Sequence, residues 1–179
     1  MKKILFILSL ILSSYPTVSC AQHYYTPKEV LTYLFPNSQT VAFEKKSLTQ
    51  KQIDTIQKSL KTKNIKMDWT VYVAKSKNRI DGYAIIDNVT GKEKPITYVV
   101  SISPEGVVNE VEILEYRESH GGQVKNKAYR KQFVGKSPSD PLQVGRDIRH
   151  VSGATISSKS IAFGVKRALA VWQTLYKPR

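Results

Sequence analysis

Between Val151 and Ser158 the chain reads Val-Ser-Gly-Ala-Thr-Ile-Ser-Ser, which gathers Ser152, Thr155, Ser157 and Ser158 around a small Gly153-Ala154 pair. A basic lead-in, Arg146-Asp147-Ile148-Arg149-His150, precedes it. The run feeds the best helical pattern in the chain, expected from Ser157 to Tyr176. Hydroxyls at a helix start can hold a phosphate, because the first amides lack partners and the helix dipole is positive there. The same residues also read as an ordinary N-cap, with Ser157 or Ser158 satisfying those amides. Local physics leaves both readings open. His150, five residues before Thr155, has the type of a general base, yet a loop histidine beside a hydroxyl is equally at home in solvent.

Ser152-Gly153-Ala154-Thr155 followed by Ile156-Ser157-Ser158 and a helix resembles the flavinylation motif of the FMN-binding domain family. That family includes the C subunit of Na+-translocating NADH:quinone reductase, the G subunit of the Rnf complex and small exported flavoproteins. The resemblance implies FMN carried by Thr155 through a phosphoester, attached by a flavin transferase that uses FAD. It also implies an electron carrier working with a membrane or extracytoplasmic redox partner, rather than a stand-alone enzyme.

Further stretches carry the same likeness. Leu34-Phe35-Pro36 matches an opening helical segment, and the turn Ser103-Pro104-Glu105-Gly106 between Val-rich strands matches the family hairpin. Glu118-Ser119-His120-Gly121 stands where the family often has Glu-Thr-Pro-Gly beside the flavin ring, with His120 in place of Pro. Gln132-Phe133-Val134-Gly135-Lys136 is again family-like. Arg149 occupies the place of an Asp common three residues before the Ser-Gly-Ala-Thr unit, and Asp147 is the nearest acid. The implied cofactor-binding set is Thr155, Ser152, Gly153, Ala154, Ile156, Ser157, Ser158, Glu118, Ser119, Gly121, Lys136, Arg149 and His150. Within it, Lys136, Arg149 and the amides of Ser157 and Ser158 are the groups expected to balance the phosphate charge.

The elements that must position these residues are legible as well. Thr26-Pro27-Lys28-Glu29 is a capping box with Pro at the first helical position, and Val30, Leu31, Leu34 and Phe35 share one face before Pro36 stops the helix. A short strand is expected at Gln39–Lys45, and Ser47-Leu48-Thr49-Gln50 opens a second helix with Ile53, Ile56 and Leu60 as an apolar stripe. From Trp69 the period changes to two. Trp69–Ala74, Ile80–Ile86, Ile96–Ile102 and Val107–Leu114 read as strands, with turns at Lys77-Asn78-Arg79, Asn88-Val89-Thr90-Gly91 and Ser103–Gly106. A basic helix is expected from about Lys125 to Phe133, then a Pro-bearing loop from Ser137 to Gly145. In the last helix Ile161, Val165, Ala168, Leu169, Trp172 and Tyr176 recur at helical spacing, which makes Trp172 a core residue. The fold class is therefore α+β: a mostly antiparallel sheet of about four to six strands, packed with N-terminal helices and a C-terminal helix.

The N-terminus reads as an export signal: Lys2 and Lys3, an apolar run from Ile4 to Leu12, then small residues to Ala21. The apolar run is too short to span a bilayer. Two processing patterns stand side by side. Ser19-Cys20-Ala21 fits cleavage before Gln22, and Thr17-Val18-Ser19-Cys20 resembles a lipobox that leaves a lipid on Cys20, although Thr17 stands where Leu is usual. The expected organisation is a signal over residues 1–21 and one FMN-binding domain over 22–179, exported to the periplasm or outer surface. The formal charge of +14 falls to +12 without Lys2 and Lys3, which favours anionic partners or surfaces. Export argues against nucleic acid. The three histidines and single cysteine offer no zinc or haem ligand pattern. A rival from another class is a non-redox extracytoplasmic binding module, in which the hydroxyl run is only a cap and the basic surface docks an anionic partner or membrane.

Overall fold

The computed structural model describes residues 22–23 and 25–177. The expected signal, Cys20 and both processing patterns lie outside that range. Its six strands form one antiparallel sheet in the order β1-β6-β5-β4-β3-β2. They are β1 Gln22–His23, β2 Thr40–Ser47, β3 Asp68–Ser76, β4 Arg79–Thr90, β5 Pro95–Ile102 and β6 Val108–Tyr116. The helices are α1 Pro27–Leu34, α2 Gln50–Leu60, a single turn α3 Lys127–Arg130 and the long α4 Thr155–Tyr176. The expected α+β architecture is the observed one.

Thr26 caps α1 as expected: Glu29 N–H donates to the Thr26 hydroxyl, and the Glu29 carboxylate accepts the Thr26 amide at 2.8 Å. The box of α2 is displaced by two residues, to Thr49 and Gln52. Ser47 is still paired with Asp68 at the end of β2, so the chain leaves the sheet only after it. The two faces of the sheet hold separate cores. α4 and α2 cover one face, where Ile85, Tyr98, Val100, Val111, Ile161, Leu169 and Trp172 are buried. α1 covers part of the other, through Val30 and Phe35 against Ala84, Val99 and Leu114.

Three elements differ from expectation. β4 runs on to Thr90, because Val89 and Thr90 pair with Ile96 and Pro95, so the connection falls at Gly91–Lys94. The basic helix is broken into 3-10 turns at Gly122–Lys125 and Lys131–Phe133 around α3. Asn126 is extended there, and Tyr129 and Phe133 meet edge to face at 5.4 Å within the core. Arg130 meanwhile reaches back to the carbonyl of Val111 and to Glu112. The segment gives up helical continuity to bury those rings. Finally, α4 begins at Thr155, two residues early, behind an N-cap Ala154 that offers no side-chain oxygen. Neither Ser157 nor Ser158 acts as the cap; both are buried inside the first turn.

Gly106 takes a left-handed backbone, φ 87°, in the β5–β6 turn. A Cβ there would stand 2.2 Å from the Trp172 ring, so the turn packs directly on the end of α4. Trp172 is core, as its spacing implied. Among the described residues no helix is long and apolar enough to cross a membrane.

Candidate functional site

At the end of the sheet opposite Gly106, three segments close around a cleft of about 260 Å³. The β4–β5 connection supplies Lys92 and Glu93, the chain after β6 supplies Glu118 to Gly121, and the start of α4 supplies Gly153 to Ser157. Larger hollows exist, one of about 440 Å³ near Asp81 and Glu105 and one of about 580 Å³ between α2 and α4. The smaller cleft is distinguished by its chemistry. Ala154 N–H is taken by the carbonyl of Val151 and Ser158 N–H by that of Ala154. The amides of Thr155, Ile156 and Ser157 find no acceptor among the described residues, so the positive end of a 22-residue helix opens onto the cleft. Thr155 is exposed there, beside the half-exposed side chain of Ile156.

The walls are held from behind. Tyr116 Oη donates to the carbonyl of His120 at 2.5 Å and lies 3.0 Å from Ser157 Oγ. Gly121 is left-handed, φ 81°, and a Cβ on it would meet Ser157 Oγ at 2.8 Å and Tyr116 Oη at 2.9 Å. Only glycine lets the loop lie this close to the helix start. Gly153 is also left-handed, φ 74°, which turns the chain into Ala154 and Thr155. Below them the Tyr129 hydroxyl donates to the Ser158 carbonyl at 2.8 Å and pins the first turn of α4.

Glu118 faces inward to bind the neighbouring connection. Its carboxylate accepts the amides of Glu93 at 2.7 Å and Lys94 at 3.0 Å. Partial burial works against its charge, but the amides of Lys94, Glu93 and Lys92 outweigh that and hold the carboxyl below the ordinary glutamate value. Gly91 makes room, since a Cβ there would lie 2.4 Å from Glu118 Oε1. On the rim Ser119 Oγ is 2.9 Å from His120 Nδ1.

Of the residues singled out from the sequence, Glu118, Ser119, Gly121, Gly153, Ala154, Thr155, Ile156 and Ser157 line this cleft. Ser152, Ser158, Lys136, Arg149 and His150 do not. Ser158 is wholly buried behind the lining, while Ser152, Arg149 and His150 are exposed. Lys136 is committed to Asp147 at 3.1 Å and Asp140 at 3.7 Å. Asp147 in turn takes the amides of Gln143 and Leu142. Burial opposes its charge, yet those amides and Lys136 hold its carboxyl below the ordinary aspartate range. The pair braces the 137–147 loop and leaves neither group facing the cleft. Lys92, Glu93 and Tyr116 were missed. Gly91 followed by a charged stretch was the signal available for the first two, and nothing local marks Tyr116.

Residues 91–170 match the model of the FMN-binding domain. Over 117 residues the chain is 30% identical to the G subunit of the Na+-translocating ferredoxin:NAD+ oxidoreductase complex of Acetobacterium woodii, covering 60% of this chain and 56% of that protein. Over 114 residues it is 32% identical to the G subunit of the proton-translocating ferredoxin:NAD+ oxidoreductase complex of Clostridium ljungdahlii, covering 59% of this chain and 60% of that one. The chain thus spans little more than half the length of these relatives. Among solved structures it resembles NqrC of Shewanella oneidensis, with a TM-score of 0.56 at 14% identity over 80% of this chain and 85% of that chain. It also resembles the C subunit of the Na+-translocating NADH-quinone reductase of Parabacteroides distasonis, with a TM-score of 0.52 at 15% identity over 79% of each. Those two likenesses concern the fold. Every residue lining the cleft falls within 91–170, the part of the chain that matches the FMN-binding domain.

Proposed function

We propose that the chain is an exported flavoprotein that carries electrons to or from a membrane redox complex, with FMN joined to Thr155 by a phosphoester. One observation carries the reading: the exposed residue Thr155 stands at the open positive end of α4, in a cleft whose facing loop is held at contact distance by Gly121. The family match over 91–170 and the two G-subunit relatives support it.

The residues present fit the group. The free amides of Thr155, Ile156 and Ser157 suit a phosphate, and Gly153 and Ala154 leave the acceptor hydroxyl uncrowded. In attachment, Thr155 Oγ1 bonds to the FMN-side phosphorus of FAD as its proton passes to solvent; the pyrophosphate bond breaks and AMP leaves. A flavin transferase supplies that step. Ile156 and the Glu118–Gly121 loop, which line the same cleft, are the residues that would hold the ring. Bound FMN supplies reversible electron transfer, which none of these side chains can perform. Outside the cytoplasm a covalent link prevents loss of the cofactor by dilution.

The test is the visible spectrum of protein made with a flavin transferase, before and after acid precipitation, together with intact mass. The expected result is a yellow pellet and an FMN-sized adduct that disappears in Thr155→Val. Flavin left in the supernatant would overturn the covalent link. A colourless chain that binds anionic vesicles in a salt-sensitive way would return it to the binding-module reading.

A further inference from the structure

The hollow of about 580 Å³ between α2 and α4 is left unused by the flavin reading. Its walls are the end of α2 from Ser59 to Lys61, the loop from Pro141 to Val144, and the α4 face carrying Lys159, Ala162, Phe163 and Lys166. Three ammonium groups surround it and no carboxylate lines it. Lys61 and Lys159 form no ion pair among the described residues, and Lys166 donates only to the Pro141 carbonyl, at 2.8 Å. Beneath them Leu60 and Phe163 are partly open, an apolar floor under a basic rim.

The loop wall is built rather than loose. Leu142 is held in a left-handed backbone, φ 50°, which costs a leucine about 1–2 kcal/mol, and its side chain is buried. The Asp147 carboxylate fixes the loop by taking the amides of Leu142 and Gln143, with Lys136 behind it. Strain of this kind persists where the surroundings over-determine a conformation, as at binding walls. The groove and the cleft share helix α4, the cleft at its first turn and the groove from Lys159 onward. Lys159 lies one turn beyond Thr155 on α4, about 6 Å along the axis at 1.5 Å per residue.

We propose that this groove docks an acidic segment of the redox partner, one carrying carboxylates around one or two apolar side chains, and so seats that partner beside Thr155. This rests on the flavin reading for its purpose, and on charge for its occupant. A basic rim with no acid complements carboxylates. Lysines are hydrated point charges that suit a fast, salt-sensitive encounter better than the forked grip of arginine on a fixed ion. Short-lived electron-transfer complexes are small and polar in just this manner.

The test uses the full chain and a synthetic probe, a short peptide alternating Glu with Leu and Phe, followed by amide NMR shifts. The expected result is shifts confined to residues 59–61, 141–144 and 159–166. Affinity should fall roughly tenfold between about 50 and 200 mM salt, and at least about tenfold again in Lys61→Glu/Lys159→Glu. The control, Lys28→Glu/Lys45→Glu, makes the same charge change on the opposite sheet face and should bind as wild type does. Equal loss in both variants, or shifts scattered over the surface, would overturn the proposal. Binding of anionic phosphatidylglycerol vesicles through the same lysines, with no response to the peptide, would overturn it in favour of a lipid surface. The measurement needs no flavin. A colourless protein that takes the peptide sinks the flavin reading alone, and a yellow protein that ignores it sinks the groove alone.

Discussion

Tyr116 Oη sits 3.0 Å from Ser157 Oγ, so a residue at the end of β6 and one in the first turn of α4 meet directly across 41 positions of sequence. The phenol's single proton goes to the His120 carbonyl, so it accepts the proton of the buried Ser157 hydroxyl. One hydroxyl therefore joins the glycine loop to the helix start, the two halves of the cleft.

Tyr116→Phe removes that junction without changing shape. The Ser157 hydroxyl and the His120 carbonyl each lose a partner, which predicts a loss of about 1–3 kcal/mol in urea unfolding of the unmodified chain. The stronger signature is in maturation. With the loop released, flavin incorporation should slow more than the stability loss alone explains, and Ser157→Ala should slow it as well. Normal incorporation in both variants would show that the loop is positioned by its glycines and not by the phenol.

Gly121 and Gly106 give a paired test, because alanine at either is both left-handed and crowded. In Gly106→Ala the new Cβ meets the Trp172 ring, and in Gly121→Ala it meets the hydroxyls of Ser157 and Tyr116. Each should cost about 2–4 kcal/mol by chemical denaturation, from overpacking and backbone strain together. Only Gly121→Ala should also impair flavin loading at a temperature where both variants are folded. Equal loading in the two would separate Gly121 from the cleft's function.

Elements governed by near neighbours were legible in the sequence: the capping box of Thr26 and Glu29, the period-two strands, the Gly106 turn and the apolar stripe that buries Trp172. In the sheet and at its exits, pairing partners outvoted local pattern. β4 runs past Ile86 because Val89 and Thr90 find Ile96 and Pro95 across the ladder, and the Ser47 box gives way because Ser47 is already paired with Asp68. The cleft follows the same division. Its two glycine-bearing segments carry local signatures, whereas Lys92 and Glu93 join through a carboxylate 25 residues away, which spacing cannot reveal. Lys136 looked free in the sequence because its acids, Asp140 and Asp147, lie within a loop with no period to read.

A buried ion pair under α4 was equally invisible. Arg167 reaches Asp87 at 2.6 Å and the Asn88 carbonyl at 2.7 Å, while Lys66 approaches the other Asp87 oxygen at 2.5 Å from the surface. Arg167→Met leaves the Asp87 charge buried with the partly solvated Lys66 as its remaining cation and a long contact from the Tyr98 hydroxyl at 3.5 Å, and should cost about 3–5 kcal/mol. Adding Asp87→Asn to that variant should recover part of the loss, since the uncompensated charge is then gone. If the double variant is the less stable of the two, the pair serves through packing and not through charge.

Glu118 offers the last test, because its charge rather than its shape holds the β4–β5 connection against the cleft. Its folded carboxyl lies below the ordinary value of 4.5, the amides of Lys94, Glu93 and Lys92 outweighing the opposing effect of burial. A depressed acid contributes stability that is fully present above 4.5 and is lost as pH falls through the folded value. In Glu118→Gln the contribution is absent at every pH. The difference in urea midpoint between wild type and variant should therefore hold steady from about pH 7 to 5 and narrow as pH falls toward about 3. Hydrogen exchange should localise the effect, with the amides of Glu93 and Lys94 losing protection in the variant at neutral pH and in wild type only in acid. A difference independent of pH over that range would mean that either neutral or charged oxygen suffices. The connection would then be held by the geometry of Gly91 and not by the carboxylate.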